Sequence, residues 1–134
     1  MNPSLINWAA VVVAALSSFI VGGIWYSPAL FANAWMADNK LNTDKLKASS
    51  KLRSFGMTAI FSLIMAANLA AFLADDKTDL TWGTTAGFLA GIWTFSAIAI
   101  MSLFELKSWR LIFINGGYSL VSLTLMGAII GWWR

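Results

Sequence analysis

Residues 22–35, Gly-Gly-Ile-Trp-Tyr-Ser-Pro-Ala-Leu-Phe-Ala-Asn-Ala-Trp, mark the point where a long apolar run meets a polar loop, and their reading decides the fold. Upstream, no charged side chain occurs between Leu5 and Ser27. At a rise of about 1.5 Å per residue, that length crosses a hydrocarbon core of about 30 Å as one helix. Pro28 has no amide hydrogen with which to continue a helix, and it restrains Ser27 before it, so the span ends or bends there. Beyond the proline, Leu30, Phe31, Ala34 and Trp35 fall near one helical face. That spacing predicts a short helix lying in the membrane interface after the first span.

Working outward, the same kind of apolar run recurs three times, and the expected spans are 5–27, 55–74, 82–104 and 111–133. The fold class is therefore an all-α integral membrane protein, four transmembrane helices in a compact bundle forming a single domain over residues 1–134. Composition agrees: 59% of the residues are apolar and only 11% charged, against about 25% charged in an average soluble chain. The opening residues, Met-Asn-Pro-Ser-Leu-Ile-Asn-Trp, lack the basic side chain of a secretory leader, and the first apolar run is too long for one. The first span is thus expected to stay in the mature protein.

The polar loops set an expected orientation, because basic residues are retained on the cytoplasmic side. Lys40, Lys45, Lys47, Lys51 and Arg53 lie in the first loop, and Lys107 and Arg110 in the third; the second loop and the C-terminus hold only Lys77 and Arg134. Both termini are predicted on the non-cytoplasmic side. The leucines at 41, 46 and 52 would suit a turn or two of helix against the membrane, or the segment 38–53 is a solvated linker. The formal charge of +3 follows from these loops, and without a basic patch carrying stacking aromatics no nucleic-acid partner is expected.

Lipid is as apolar as leucine, so helices within it associate through close packing and interhelical hydrogen bonds, which small residues permit. Ala10, Ala14, Ser18 and Gly22 repeat every four residues in the first span, and Thr58, Ser62, Ala66, Ala70 and Ala74 in the second. Gly83, Gly87 and Gly91 do so in the third; Gly127 and Gly131 join Asn115, Ser119 and Ser122 in the fourth. These rows predict helix packing, and the triple-glycine row is a candidate glycine zipper between subunits of an oligomer. Asn68 is an amide that must find a partner within the membrane.

Cysteine and histidine are absent, which removes thiolate nucleophiles, disulfides and the commonest transition-metal ligand. No phosphate loop, HExxH or nucleophile elbow occurs. No enzyme activity, cofactor or metal is expected. Asp75, Asp76 and Asp79 form an acidic turn without the glycine and terminal glutamate of a calcium loop, and a solvated turn is the simpler reading. Glu105 is expected to pair with Lys107 and Arg110, or to serve as a binding carboxylate. Trp8, Trp82, Trp132 and Trp133 fall at one predicted boundary and Trp25, Trp35 and Trp109 at the other, as an aromatic belt does. Trp93 falls in mid-span, where core packing is expected.

Several pieces of the chain together resemble the DUF1761 family of small bacterial membrane proteins. They are Gly23, Trp25-Tyr26, Pro28, Phe31 and Trp35 at the end of the first span, Leu103-Phe104-Glu105 at the end of the third, and Asn115, Gly117, Tyr118, Leu120 and Gly127 in the fourth. The resemblance implies a four-span protein and a bacterial inner membrane, and carries no established activity. With the predicted topology, Trp25, Tyr26, Phe104, Glu105, Asn115 and Tyr118 all fall in the cytoplasmic third. Two functions are open from the sequence. One is a non-enzymatic protein acting through helix-mediated assembly with itself, as a homo-oligomer, or with a larger membrane complex in the lipid bilayer. The other is a small-solute or ion transporter, channel or ligand-binding protein with a cytoplasm-facing polar pocket formed by Tyr26, Glu105, Asn115 and Tyr118 beside Trp25, under a lid of Phe31 and Trp35.

Overall fold

The computed structural model describes residues 1–42, 44–45 and 51–133; Leu46, Lys47 and Arg134, used in the sequence reading, lie outside them. Five helices are described: α1 (Trp8–Trp25), α2 (Ala32–Asp38), α3 (Lys51–Phe72), α4 (Leu80–Phe104) and α5 (Trp109–Trp132). Among the described residues there is no strand. Four of the helices, all but α2, are long and apolar enough to cross a membrane. Their outward faces carry large exposed side chains such as Leu16, Ile20, Phe61, Phe88 and Phe113, a surface that lipid accepts and water does not.

Three of the spans, α1, α4 and α5, begin where side chains satisfy the first backbone N–H groups, and this explains their differences from the apolar runs. Asn7 accepts from the Ala9 and Ala10 amides and starts α1 three residues beyond Leu5. Asp79 accepts from Trp82 N and starts α4 at Leu80. Ser108 accepts from Leu111 N and starts α5 at Trp109. Each cap supplies an acceptor for a donor that the helix itself cannot satisfy.

Helices α2 and α4 close in the same way. After α2, Leu41 N donates to Met36 O and Lys40 N to Ala37 O; after α4, Lys107 N donates to Ser102 O and Leu106 N to Leu103 O. These are Schellman closures, which place one residue in the left-handed region. Here those residues are Lys40 (φ 55°) and Leu106 (φ 59°) rather than glycines.

Helix α5 is the centre of the bundle. It packs along α4 over most of its length, and also against α1 and, lightly, α3, while α1 packs on α3. The core draws Val11, Ala14 and Ala15 from α1, Ala66, Leu69 and Ala70 from α3, Ala86 from α4, and Leu123, Met126 and Ile130 from α5. The Asn2 amide donates to Ala74 O, and Asn7 Nδ2 to Trp133 O. The N-terminal segment, the α3–α4 turn and the end of α5 therefore lie together on one side, opposite the α4–α5 turn.

The triple-glycine row faces inward. A methyl group at Gly83 would meet the Gly127 carbonyl and lie 2.8 Å from Gly131 Cα, and one at Gly87 would meet the Leu123 carbonyl. At Gly91 it would lie 2.9 Å from Leu120 Cα. α4 and α5 thus touch backbone to backbone, and the row read as a candidate subunit interface is consumed within the chain. Trp93 corrects a second expectation: it is 80% exposed. Two residues from Gly91, it stands about 200° around α4 from the glycine seam, so close packing of that seam turns the indole outward.

Candidate functional site

The end of α1 is bound to α5 by three aromatic or phenolic groups. Trp25 Nε1 donates to Ile114 O at 2.7 Å, Tyr26 Oη donates to Asn115 Oδ1 at 2.8 Å, and Tyr118 Oη donates to Ser18 O at 3.0 Å. Gly117 makes room for the Trp25 ring, and Gly22 lies in ordinary contact distance of Tyr118. A methyl group at Gly117 would lie 2.9 Å from Trp25 Cζ2, and one at Gly22 would rest 3.4 Å from the Tyr118 hydroxyl. The rings of Tyr26 and Tyr118 stand 5.5 Å apart.

The Ser27–Pro28 turn then brings α2 back across this cluster. Ser27 O accepts from both Leu30 N and Ala32 N, which holds the turn despite the missing proline N–H. Phe31 packs on Trp25 at 5.0 Å, and Trp35 meets Tyr26 edge-on at 5.9 Å. The far end of α2 is clamped by Arg110, whose Nε and Nη2 donate to the two Asp38 oxygens at 2.8 and 2.6 Å, with Ser108 Oγ adding a third bond at 3.0 Å. These hydrogen bonds, led by the guanidinium, hold the Asp38 carboxyl below the usual carboxylate range.

Glu105 and Phe104 stand apart from this cluster. Glu105 is the exposed C-cap of α4, and Phe104 is 86% exposed. Of the two partners anticipated for Glu105, Lys107 and Arg110, the second is held by Asp38. Leu106 in the left-handed region turns the chain sharply after α4, and the guanidinium beyond it points to α2.

Above the tyrosines a cleft of about 450 Å³ opens between α3 and the α4–α5 pair. Its polar lining comes from three helices: Ser18 and Tyr26 at α1, Thr58 and Ser62 on α3, and Asn115, Tyr118, Ser119 and Ser122 on α5. Ser18 Oγ and Ser62 Oγ are hydrogen-bonded at 3.1 Å, and Thr58 Oγ1 returns its proton to Ser54 O. Ser122 is different. It is 3% exposed, yet its Oγ has no hydrogen-bond partner among the described residues. A buried hydroxyl left so costs about 1–3 kcal/mol. Met65 also lines a second, apolar groove of about 430 Å³ between α3 and α4, to which Asn68, Ala90, Trp93 and Thr94 contribute. The Asn68 amide, expected to find a partner, faces this groove without one among the described residues.

The model of the family described as a protein of unknown function, DUF1761, matches residues 9–131. The chain belongs to the DUF1761 family. No curated protein and no solved structure matches it. In this DUF1761 protein the tyrosine cluster and both grooves fall within the matched residues.

Spacing places Asn115, Ser119 and Ser122 on one stripe of α5 but gives Ser18, Thr58 and Ser62 the pattern of packing residues. Their signal was chemical: hydroxyls standing among alanines in a small-residue row. The acidic turn proves to be a cap. Asp75 Oδ1 accepts from Lys77 N and Thr78 Oγ1, and Asp79 caps α4.

Proposed function

We propose that this chain is a non-enzymatic, ligand-binding protein of the bacterial cytoplasmic membrane, with the cleft lined by Tyr26, Asn115 and Tyr118 as its binding site. The observation that carries this reading is convergence: hydroxyl and amide groups from three helices meet in one concave space, and a buried hydroxyl, Ser122, is left without a partner inside it. The lining offers no carboxylate, amine or imidazole, so it is suited to holding a molecule rather than to acid–base or nucleophilic work. The basic loops favour both termini on the non-cytoplasmic side, with the α2 corner inside.

Assembly with itself or with a larger membrane complex is the other reading. The small-residue faces favour it, but the glycine row is occupied by α5, so an oligomer would have to use another surface.

Organic extraction of the purified protein, followed by mass spectrometry, tests the binding reading. The wild type is expected to carry one molecule in stoichiometric amount that an Asn115→Ala, Tyr118→Phe variant lacks. Identical bulk lipid in both preparations would overturn it.

A further inference from the structure

We infer that the ligand of this cleft is an uncharged amphiphile whose oxygen-bearing headgroup binds at Ser122 and Asn115 and whose apolar tail leaves past Met65 into the groove between α3 and α4. This rests on the binding reading above and adds the ligand's charge, its polarity and its path. Three observations support it.

The first is charge. No ionised side chain lines either groove. A phosphate or ammonium placed there would be desolvated with no opposite charge to compensate it, at a cost of several kcal/mol even after relaxation. A neutral group avoids that cost.

The second is hydrogen-bonding capacity. The Asn115 Oδ1 is taken by Tyr26, which leaves the amide nitrogen and its two hydrogens without a partner among the described residues. Ser122 Oγ is likewise unpartnered. The free groups are mainly donors, so the headgroup must present acceptor oxygens: carbonyl, ester, ether or hydroxyl.

The third is depth and continuity. Ser122 lies thirteen residues beyond Trp109, about 20 Å along α5 at a helical rise, near the middle of the span. Charged headgroups stay at the interface, whereas neutral ones can be drawn to that depth. Met65 lines both the polar cleft and the apolar groove, so a tail continuing from the headgroup meets Ala90 and Trp93 rather than protein core. Neutral glycerolipids and isoprenoid quinones share this chemistry.

Wild-type protein in phosphatidylcholine nanodiscs, titrated separately with dioleoylglycerol and with decylubiquinone and read by native mass spectrometry, separates the two sources. One of the probes should be retained, and phosphatidylglycerol should not displace it. Ser122→Ala should weaken retention about tenfold, one hydrogen bond's worth, while the thermal midpoint of the ligand-free protein stays level or rises because the orphan hydroxyl is gone. Ala90→Phe fills the apolar groove away from the polar groups. It should weaken binding of the retained long-tailed probe and spare its short-tailed counterpart, dihexanoylglycerol or the tail-free dimethoxy-methyl-benzoquinone. Retention of neither neutral probe, equal competition by phosphatidylglycerol, or wild-type binding by Ser122→Ala would overturn the inference. If the neutral probes fail but the wild type still carries a stoichiometric molecule that the Asn115→Ala, Tyr118→Phe variant lacks, the binding site stands and only its amphiphile falls.

Discussion

Helix α5 turns one face to α4 and another to α3, and the two faces are built from different residues for different ends. Toward α4 it presents Gly127, Gly131 and the Leu123 carbonyl, and the helices close until backbone meets backbone. Toward α3 it presents Ser119, Ser122 and Met126, and the helices stay apart around a hydroxyl-lined space. Water drives neither contact in lipid, so shape and hydrogen bonding decide which helices meet. The seam gains by excluding everything; the cleft leaves polar groups waiting. Within one helix, the glycine face closes the α4–α5 seam and the serine face lines the candidate cleft.

The contrast breaks most strongly at the seam. Gly87→Val drives a branched side chain into the Leu123 backbone, and about 3 kcal/mol of stability should be lost, measured by reversible unfolding in mixed micelles. Retention of wild-type stability would mean that the seam is not close-packed. A smaller effect is expected on the open side: Tyr26→Phe removes the 2.8 Å bond to Asn115 and should cost about 1 kcal/mol in the same assay. If the change is nearer 3 kcal/mol, the tyrosine cluster is as structural as the glycine seam and the division between the two faces blurs.

At the turn that joins the seam helices, Leu106→Gly should stabilise by about 0.5–1 kcal/mol. Relief of a left-handed non-glycine residue outweighs the added freedom of the unfolded chain. A lower unfolding midpoint would show that the Leu106 side chain contributes more than its backbone costs.

The smallest effect belongs to the solvent-facing clamp between α2 and α5. Asp38 is held below an ordinary aspartate value of 3.8, so its contribution is fully present above that value and is lost as pH falls through the lower folded value. The difference in thermal midpoint between wild type and Asp38→Asn should therefore be constant near neutrality and shrink below about pH 4. A difference that grows with acid would mean that Asp38 is not the titrating partner.

Much of the site was legible from residue type, and its limits are instructive. Tyr26, Asn115 and Tyr118 could be placed at one depth because helical rise converts sequence number into height. Rotation around the bundle has no such ruler. Glu105 shares that depth yet is exposed, and Arg110 turns to Asp38 rather than to it. Trp93 sits at core height and faces outward. Ser62 and Thr58 are as small and apolar-flanked as any packing residue, and only their facing partner made them lining residues of a cleft.

What the sequence determined by itself was the number of spans, the break at Pro28 and the presence of a close-approach face on every helix. These follow from local terms: apolar length, a missing amide hydrogen and side-chain volume. Which faces meet was decided only by the tertiary structure. The triple-glycine row could have served a second chain until Gly127 and Gly131 were found against it. The hydroxyls of α3 and α5 line one cleft because α3 stands off from α4. Pairing of this kind depends on the relative rotation of helices that share the same apolar surroundings, and no single segment encodes it.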